Sequence, residues 1–221
     1  MDQSKLAHED VVEFAVEEIK KQIKNGRLAP GQRLVTSELI RDLGISIGPV
    51  REALRKLAGE GLIDIRQHRG AVVKSLSRQD IVEIYELRAV IEGAAARLAT
   101  DRIKEEGNEK TVRELIAQCE TAFAKRSAAD YNQANQAFHS TIMGMSGNQR
   151  MAQIAEHLAL PIYLLRYHQL LQSSTMETSI AEHQLIADAI LSGESEKAER
   201  LMRRHVRTSG AGILESLADG Y

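Results

Sequence analysis

Tryptophan is absent from this chain of 221 residues, and the remaining aromatics are only 3 Phe and 5 Tyr. With Ala, Leu, Ile, Glu and Arg plentiful instead, the composition points to a mostly helical protein. The single cysteine, Cys119, excludes an internal disulfide and fits a reducing compartment such as the cytoplasm. No apolar run is long enough to cross a bilayer. The N-terminal MDQSKLAHEDVVEF also lacks the apolar centre of a signal peptide, so a soluble, cytoplasmic protein with no membrane partner is expected. The length allows one large domain or two small ones, with room for a real core.

The formal net charge of -2 conceals an asymmetry. From Lys20 to Lys74 there are 12 Lys and Arg against 5 Asp and Glu, a local +7. From Leu76 to the end, 16 basic and 20 acidic residues give a local -4. A basic N-terminal unit joined to an acidic remainder suits a polyanion-binding head on a body with another task.

Within the basic unit, the stretch from Leu34 to Gly61 carries the pattern of a helix-turn-helix. Leu34, Leu39, Ile40 and Leu43 precede a turn at Gly44, Ile45 lies at the turn, and Val50, Ala53, Leu54 and Leu57 follow it. Ser46 is a natural N-cap, Pro49 is tolerated in a first helical turn, and Gly59 or Gly61 can end the helix. With the apolar positions turned inward, Ile47, Gly48, Arg51, Glu52 and Arg55 point outward. Arg51 and Arg55 lie one helical turn apart, so both can reach DNA. A preceding helix over Glu9–Lys24 presents Val12, Ala15, Val16, Ile19 and Ile23 on one face. Two short strands, Leu62–Ile65 and Ala71–Val73, flank a basic hairpin of Arg66, Gln67, His68, Arg69 and Gly70. A winged helix-turn-helix over residues 1–75 is therefore expected, with Arg69 and Gly70 at a wing tip suited to phosphates or the minor groove.

Residues 76–221 read as helix throughout, and an antiparallel all-α bundle of about six helices is expected. Ser77-Arg78-Gln79-Asp80 resembles a capping box and opens a helix running to about Arg102. The other expected spans are Lys110–Lys125, Ala129–Met145, Gln149–Leu171, Ser179–Leu191 and Ser195–Leu217, with Gly107, Gly147, Ser173-Ser174 and Gly193 as punctuation.

Three of the 7 histidines have positions that can be argued. His183 and His205 lie about eleven residues on either side of the turn at Gly193-Glu194, and positions equidistant from the turn of an antiparallel hairpin share one height. Asn135 and His139 stand one turn apart on an earlier helix, which puts both on one face. Three neutral imidazoles with an amide oxygen make a borderline transition-metal site, open to Zn, Ni, Co or Mn. Each histidine taken singly also reads as a hydrogen-bonded core or surface residue. Arg88 interrupts the apolar stripe Ile84, Leu87, Ile91, Ala94, Ala95, Leu98, and a buried guanidinium needs an anion. Two partners are open: Glu92 one turn on, as a structural pair, or the carboxylate of a ligand. Arg166 and His168 could also reach a cavity.

Together these segments resemble the GntR family of bacterial transcription regulators, in the FadR branch with an FCD-type ligand-binding domain. In the head the resemblance rests on Gly26-Arg27-Leu28, Pro30-Gly31, Leu39, Leu43-Gly44-Ile45-Ser46, Pro49 through Leu54, Leu57, Gly61-Leu62 and Gly70. In the body it rests on Tyr85 through Arg88 with Glu92, Asn135, Phe138-His139, Gly147-Asn148, Glu182-His183, Ala189-Ile190, Ala198 and His205. The resemblance implies that Asn135, His139, His183 and His205 occupy the metal-ligand positions, with Zn or Ni foremost and Mn or Co as alternatives. It also implies that a small organic acid binds at the metal, where Arg88 would take its carboxylate.

Two departures stand out. The first ligand position usually holds aspartate in that family, but here it is the neutral Asn135. The arginine common after the capping serine is replaced by Ile47-Gly48, and the preceding helix has Ser37 where Arg or Glu is usual. Specificity then falls on Arg51, Arg55 and the wing, or on Ile47 against a thymine methyl. The resulting expectation is a ligand-responsive regulator that binds a double-stranded DNA operator as a homodimer, since two half-sites multiply the affinity of one small head. Repression is the expected sense, and no enzymatic activity is expected. The rivals are a metal-ion sensor, a metal-dependent enzyme, and a structural bundle whose histidines bind nothing.

Overall fold

The computed structural model describes residues 3–24, 27–66, 70–158 and 173–216. Its contacts divide the chain into two compact units, Met1–Leu76 and Ser77–Tyr221. The fold is mainly helical, with one small sheet in the first unit.

The first unit runs α1 (Gln3–Lys24), β1 (Arg33–Leu34), α2 (Thr36–Leu43), α3 (Ile47–Gly59), β2 (Ile63–Arg66) and β3 (Gly70–Val73). Val12, Ala15, Val16, Ile19 and Ile23 form the buried stripe of α1, as their spacing predicts. The helix begins at Gln3 rather than Glu9, because Lys5, Leu6 and Ala7 are strong helix formers and extend it backwards. Helix α2 ends at Gly44, whose φ of 66° permits the left-handed cap and whose N–H donates to the Ile40 carbonyl. Ser46 takes the N-cap position of α3 in extended geometry, but its hydroxyl makes no capping hydrogen bond. Pro49, Val50, Ala53, Leu54 and Leu57 are the buried positions of α3.

The sheet has three antiparallel strands in the order β1-β3-β2. β2 and β3 correspond to the expected hairpin, and Arg66 pairs with Gly70 at its end. β1 was not expected. Its two residues are too few to show a period of two, and only Leu34 is buried. The wing residues Gln67, His68 and Arg69 lie outside the described residues.

The second unit contains α4 (Arg78–Asp101), α5 (Asn108–Ala124), α6 (Ala128–Met145), α7 (described over 149–158), α8 (Ser173–Leu191) and α9 (Ser195–Ser216). The Ser77 capping box is present: the Asp80 N–H donates to Ser77 Oγ, and the Ser77 N–H donates to the Asp80 carboxylate at 2.8 Å. Helix α8 is described from Ser173, so Ser173 and Ser174 lie within it rather than in the break expected before Ser179. The remainder of the span expected to Leu171 lies outside the described residues, and Arg166 and His168 with it.

Helix α4 packs chiefly on α9, and also on α6 and α8. At Gly210 the absence of a side chain admits Tyr85, since a Cβ there would lie 2.7 Å from Tyr85 Cγ. No described helix is long and apolar enough to cross a membrane.

Candidate metal centre and DNA-reading helix

On α3 the inward positions fix what faces solvent. Ile47, Gly48, Arg51, Glu52 and Arg55 are all exposed, Ile47 to 47%. The neighbouring charges are taken: His8 Nε2 lies 3.1 Å from a Glu52 oxygen, and Lys56 Nζ donates to Glu13 at 3.2 Å. Among the described residues, Arg51 and Arg55 form no ion pair or hydrogen bond with the protein. Two unpaired guanidinium groups on adjacent turns of an exposed helix suit an external polyanion. Gly70, at the foot of the wing, is exposed with φ of 74°.

In the second unit the polar chemistry is internal. The α8–α9 hairpin brings His183 and His205 together, with Nε2 to Nε2 at 3.2 Å and neither residue more than 1% exposed. His139 on α6 closes the group, its Nε2 also 3.2 Å from that of His205. The three residues each offer a ligand atom within 4.8 Å of the others. Asn135, one turn before His139, is buried on α6. His183 lies against Phe138, with ring centroids 4.2 Å apart and planes inclined by 22°.

The outer nitrogens are held as firmly as the inner ones converge. His139 Nδ1 donates to Glu92 Oε2 at 2.6 Å, and His205 Nδ1 donates to Glu182 Oε2 at 2.7 Å. A carboxylate only accepts, so both Nδ1 atoms carry the proton, and in the neutral rings both Nε2 atoms present lone pairs. Two lone pairs facing each other at 3.2 Å repel unless a shared proton or a metal cation lies between them. With metal–nitrogen bonds of about 2.0–2.1 Å, ligand nitrogens stand roughly 2.9 Å apart at right angles and roughly 3.4 Å apart in a tetrahedron. The two 3.2 Å separations from His205 fall between these, and the third pair lies within 4.8 Å, so the donor set fits a divalent transition ion.

Glu92 also accepts from Arg88 Nε at 2.7 Å, both groups being buried. Burial works against the ionised form of Glu92, but the Arg88 guanidinium and His139 outweigh it and hold the carboxyl well below the usual carboxylate range. Burial likewise opposes the charge of Arg88, and Glu92 more than restores it. Of the two partners open to Arg88 in the sequence, Glu92 is the one in place. Arg88 also lies over Tyr85, its Cζ 5.0 Å from the ring centroid.

Sequence reasoning did not assign Glu92 to His139 or Glu182 to His205. Glu182 sits about 100° around α8 from His183. That angle turns it from its own neighbour towards α9. The usable signal was its distance from the Gly193 turn, which nearly matches that of His205.

Residues 11–73 match the model for bacterial regulatory proteins of the gntR family, and residues 83–208 match the FCD domain. The chain is 30% identical over 191 residues to the uncharacterised helix-turn-helix regulator YdhC of Bacillus subtilis, covering 85% of this chain and 84% of that protein. It is 28% identical over 207 residues to the repressor GlaR of Escherichia coli, covering 90% and 94%. Among solved structures, Escherichia coli McbR/YncC superposes with a TM-score of 0.81 over 94% of this chain and 98% of that one, at 21% identity.

Proposed function

The chain belongs to the GntR family of bacterial regulatory proteins and carries an FCD domain, and from that premise we propose a ligand-responsive repressor whose affinity for its operator changes when a small carboxylate binds at a divalent metal. It is a transcription regulator and not an enzyme. The repressing sense is supported by GlaR, a transcriptional repressor that aligns over most of both chains.

In this reading, Arg51 and Arg55 face bases and phosphates, with Ser46, Ile47 and Gly48 at the approaching end of α3 and Arg69-Gly70 at the wing. Two heads act together as a homodimer, because one such module buries little surface on a duplex. In the body, His139, His183 and His205 hold the ion, Zn or Ni foremost, with Asn135 supplying an oxygen. The ion would supply a charged point at which a carboxylate docks. Arg88 reaches the same anion, since Glu92 engages its guanidinium through Nε alone. The convergence of three imidazoles, with the Nε2 atoms of His139 and His205 facing each other at 3.2 Å while carboxylates hold both Nδ1 atoms, carries the metal assignment. A ligand changes DNA affinity only if it binds the two head arrangements unequally.

The test uses full-length protein purified without chelators or citrate. Elemental analysis is expected to find one zinc or nickel per chain, and acetate, lactate and citrate are then titrated against melting temperature and duplex binding. Absence of metal, together with unchanged melting on adding zinc or nickel, overturns the metal assignment. Duplex binding that follows free metal with no carboxylate present replaces the effector with the ion itself as the signal.

A further inference from the structure

We infer that Glu182 and Glu92 are positioning residues that set the metal affinity of the centre, supplying from outside the ligand shell the negative charge that its ligands lack. This inference rests on the metal assignment above and deepens it.

Three imidazoles and an amide bring no formal charge to a divalent ion, and the histidine cluster lies in a buried site where an unbalanced charge is expensive. Two carboxylates stand one hydrogen bond further out, on different helices, each bonded to a different imidazole: Glu92 of α4 on His139 of α6, and Glu182 of α8 on His205 of α9. Their geometry does two things. Accepting from Nδ1–H fixes the tautomer, so the Nε2 lone pair is directed into the cage before any ion arrives. The adjoining negative charge also makes each imidazole a stronger donor.

The two carboxylates are not equivalent. Glu92 divides its charge between His139 and the buried Arg88, with oxygens at 2.6 and 2.7 Å respectively. Glu182 is partly exposed, at 16%, and its ion pair is to His205. Glu182 is therefore the cleaner place to measure the effect, because its loss leaves no buried guanidinium behind.

The experiment strips the full-length chain of metal and measures Zn²⁺ and Ni²⁺ affinity by competition with a chromogenic chelator, for the natural chain, Glu182→Ala, Glu182→Gln and Glu92→Gln. Each metal-free protein is also melted, and the imidazole nitrogens are recorded by ¹⁵N NMR. Glu182→Ala is expected to weaken both metals by about 10–100-fold, with the metal-free protein still folded and its melting lowered only by the lost His205 hydrogen bond. His205 is expected to shift from a single Nδ1–H tautomer to a mixture. Glu182→Gln retains a polar contact without the charge and is expected to fall between Ala and the natural residue.

Glu182→Ala binding within twofold of the natural chain overturns the inference, as does an unchanged His205 tautomer. If Glu92→Gln fails to fold because Arg88 is left unpaired, Glu182→Ala decides alone. A natural chain that binds neither metal fails at the earlier step, which overturns the metal assignment and this inference with it.

Discussion

The two units place their polar chemistry on opposite sides of the core. In the first, the described buried set is apolar, and Arg51 and Arg55 stand in solvent. In the second, the core admits Arg88, Glu92, Asn132, Asn135, His183 and His205. The first can meet a rigid external polymer with a preformed surface, which needs only a firm scaffold beneath it. In the second each buried polar group has to be paired, by a neighbour or, in the function proposed above, by a small guest. One chain thus carries two arrangements of polar groups, one displayed and one enclosed.

The sharpest break of that contrast is to empty the enclosure. His183→Ala combined with His205→Ala is expected to lower metal content from one ion per chain to none by elemental analysis. Duplex binding by the metal-free protein should stay as it was, and a parallel loss would show the units are not separable. Next in size is Arg88→Ala, which leaves the Glu92 carboxylate buried without its cation. It should cost about 3–5 kcal/mol in urea unfolding, and unchanged stability would remove the structural role of the pair.

On the display side, Arg51→Ala should weaken binding to a duplex selected from a random pool by about 1–3 kcal/mol, with melting unchanged. Retained affinity would remove Arg51 from the reading surface. The smallest effect concerns Cys119, whose thiol is pushed up to about 12 by burial and by the charge of Glu120. A thiol reagent at neutral pH should leave the native chain almost untouched and label it rapidly in urea; rapid native labelling would show the second core to be looser than its packing implies.

Much of the first unit was legible because its signals are local. The spacing of Val50, Ala53, Leu54 and Leu57 identifies the inward face of α3 by itself, and Gly44 marks the break between α2 and α3. The histidine hairpin was legible for a different reason: equal distances from one turn survive without knowledge of how other helices pack, and they place His183 against His205. The third histidine needed a third helix, and the spacing of Asn135 and His139 could say which face they share but not what that face meets. Glu92 and Glu182 were hidden because their partners lie on other helices, whose relative rotation no single periodicity encodes. Strand β1 was hidden by its brevity, since its place comes from pairing with Val72 and Ala71 rather than from its own two residues.

The bare backbone of Gly210 has a consequence for packing. Because Tyr85 fills the space a side chain would need there, α4 and α9 have no slack between them at that level. A methyl group at position 210 would therefore have to prise the two helices apart or displace the tyrosine ring, so their close approach depends on that bare backbone.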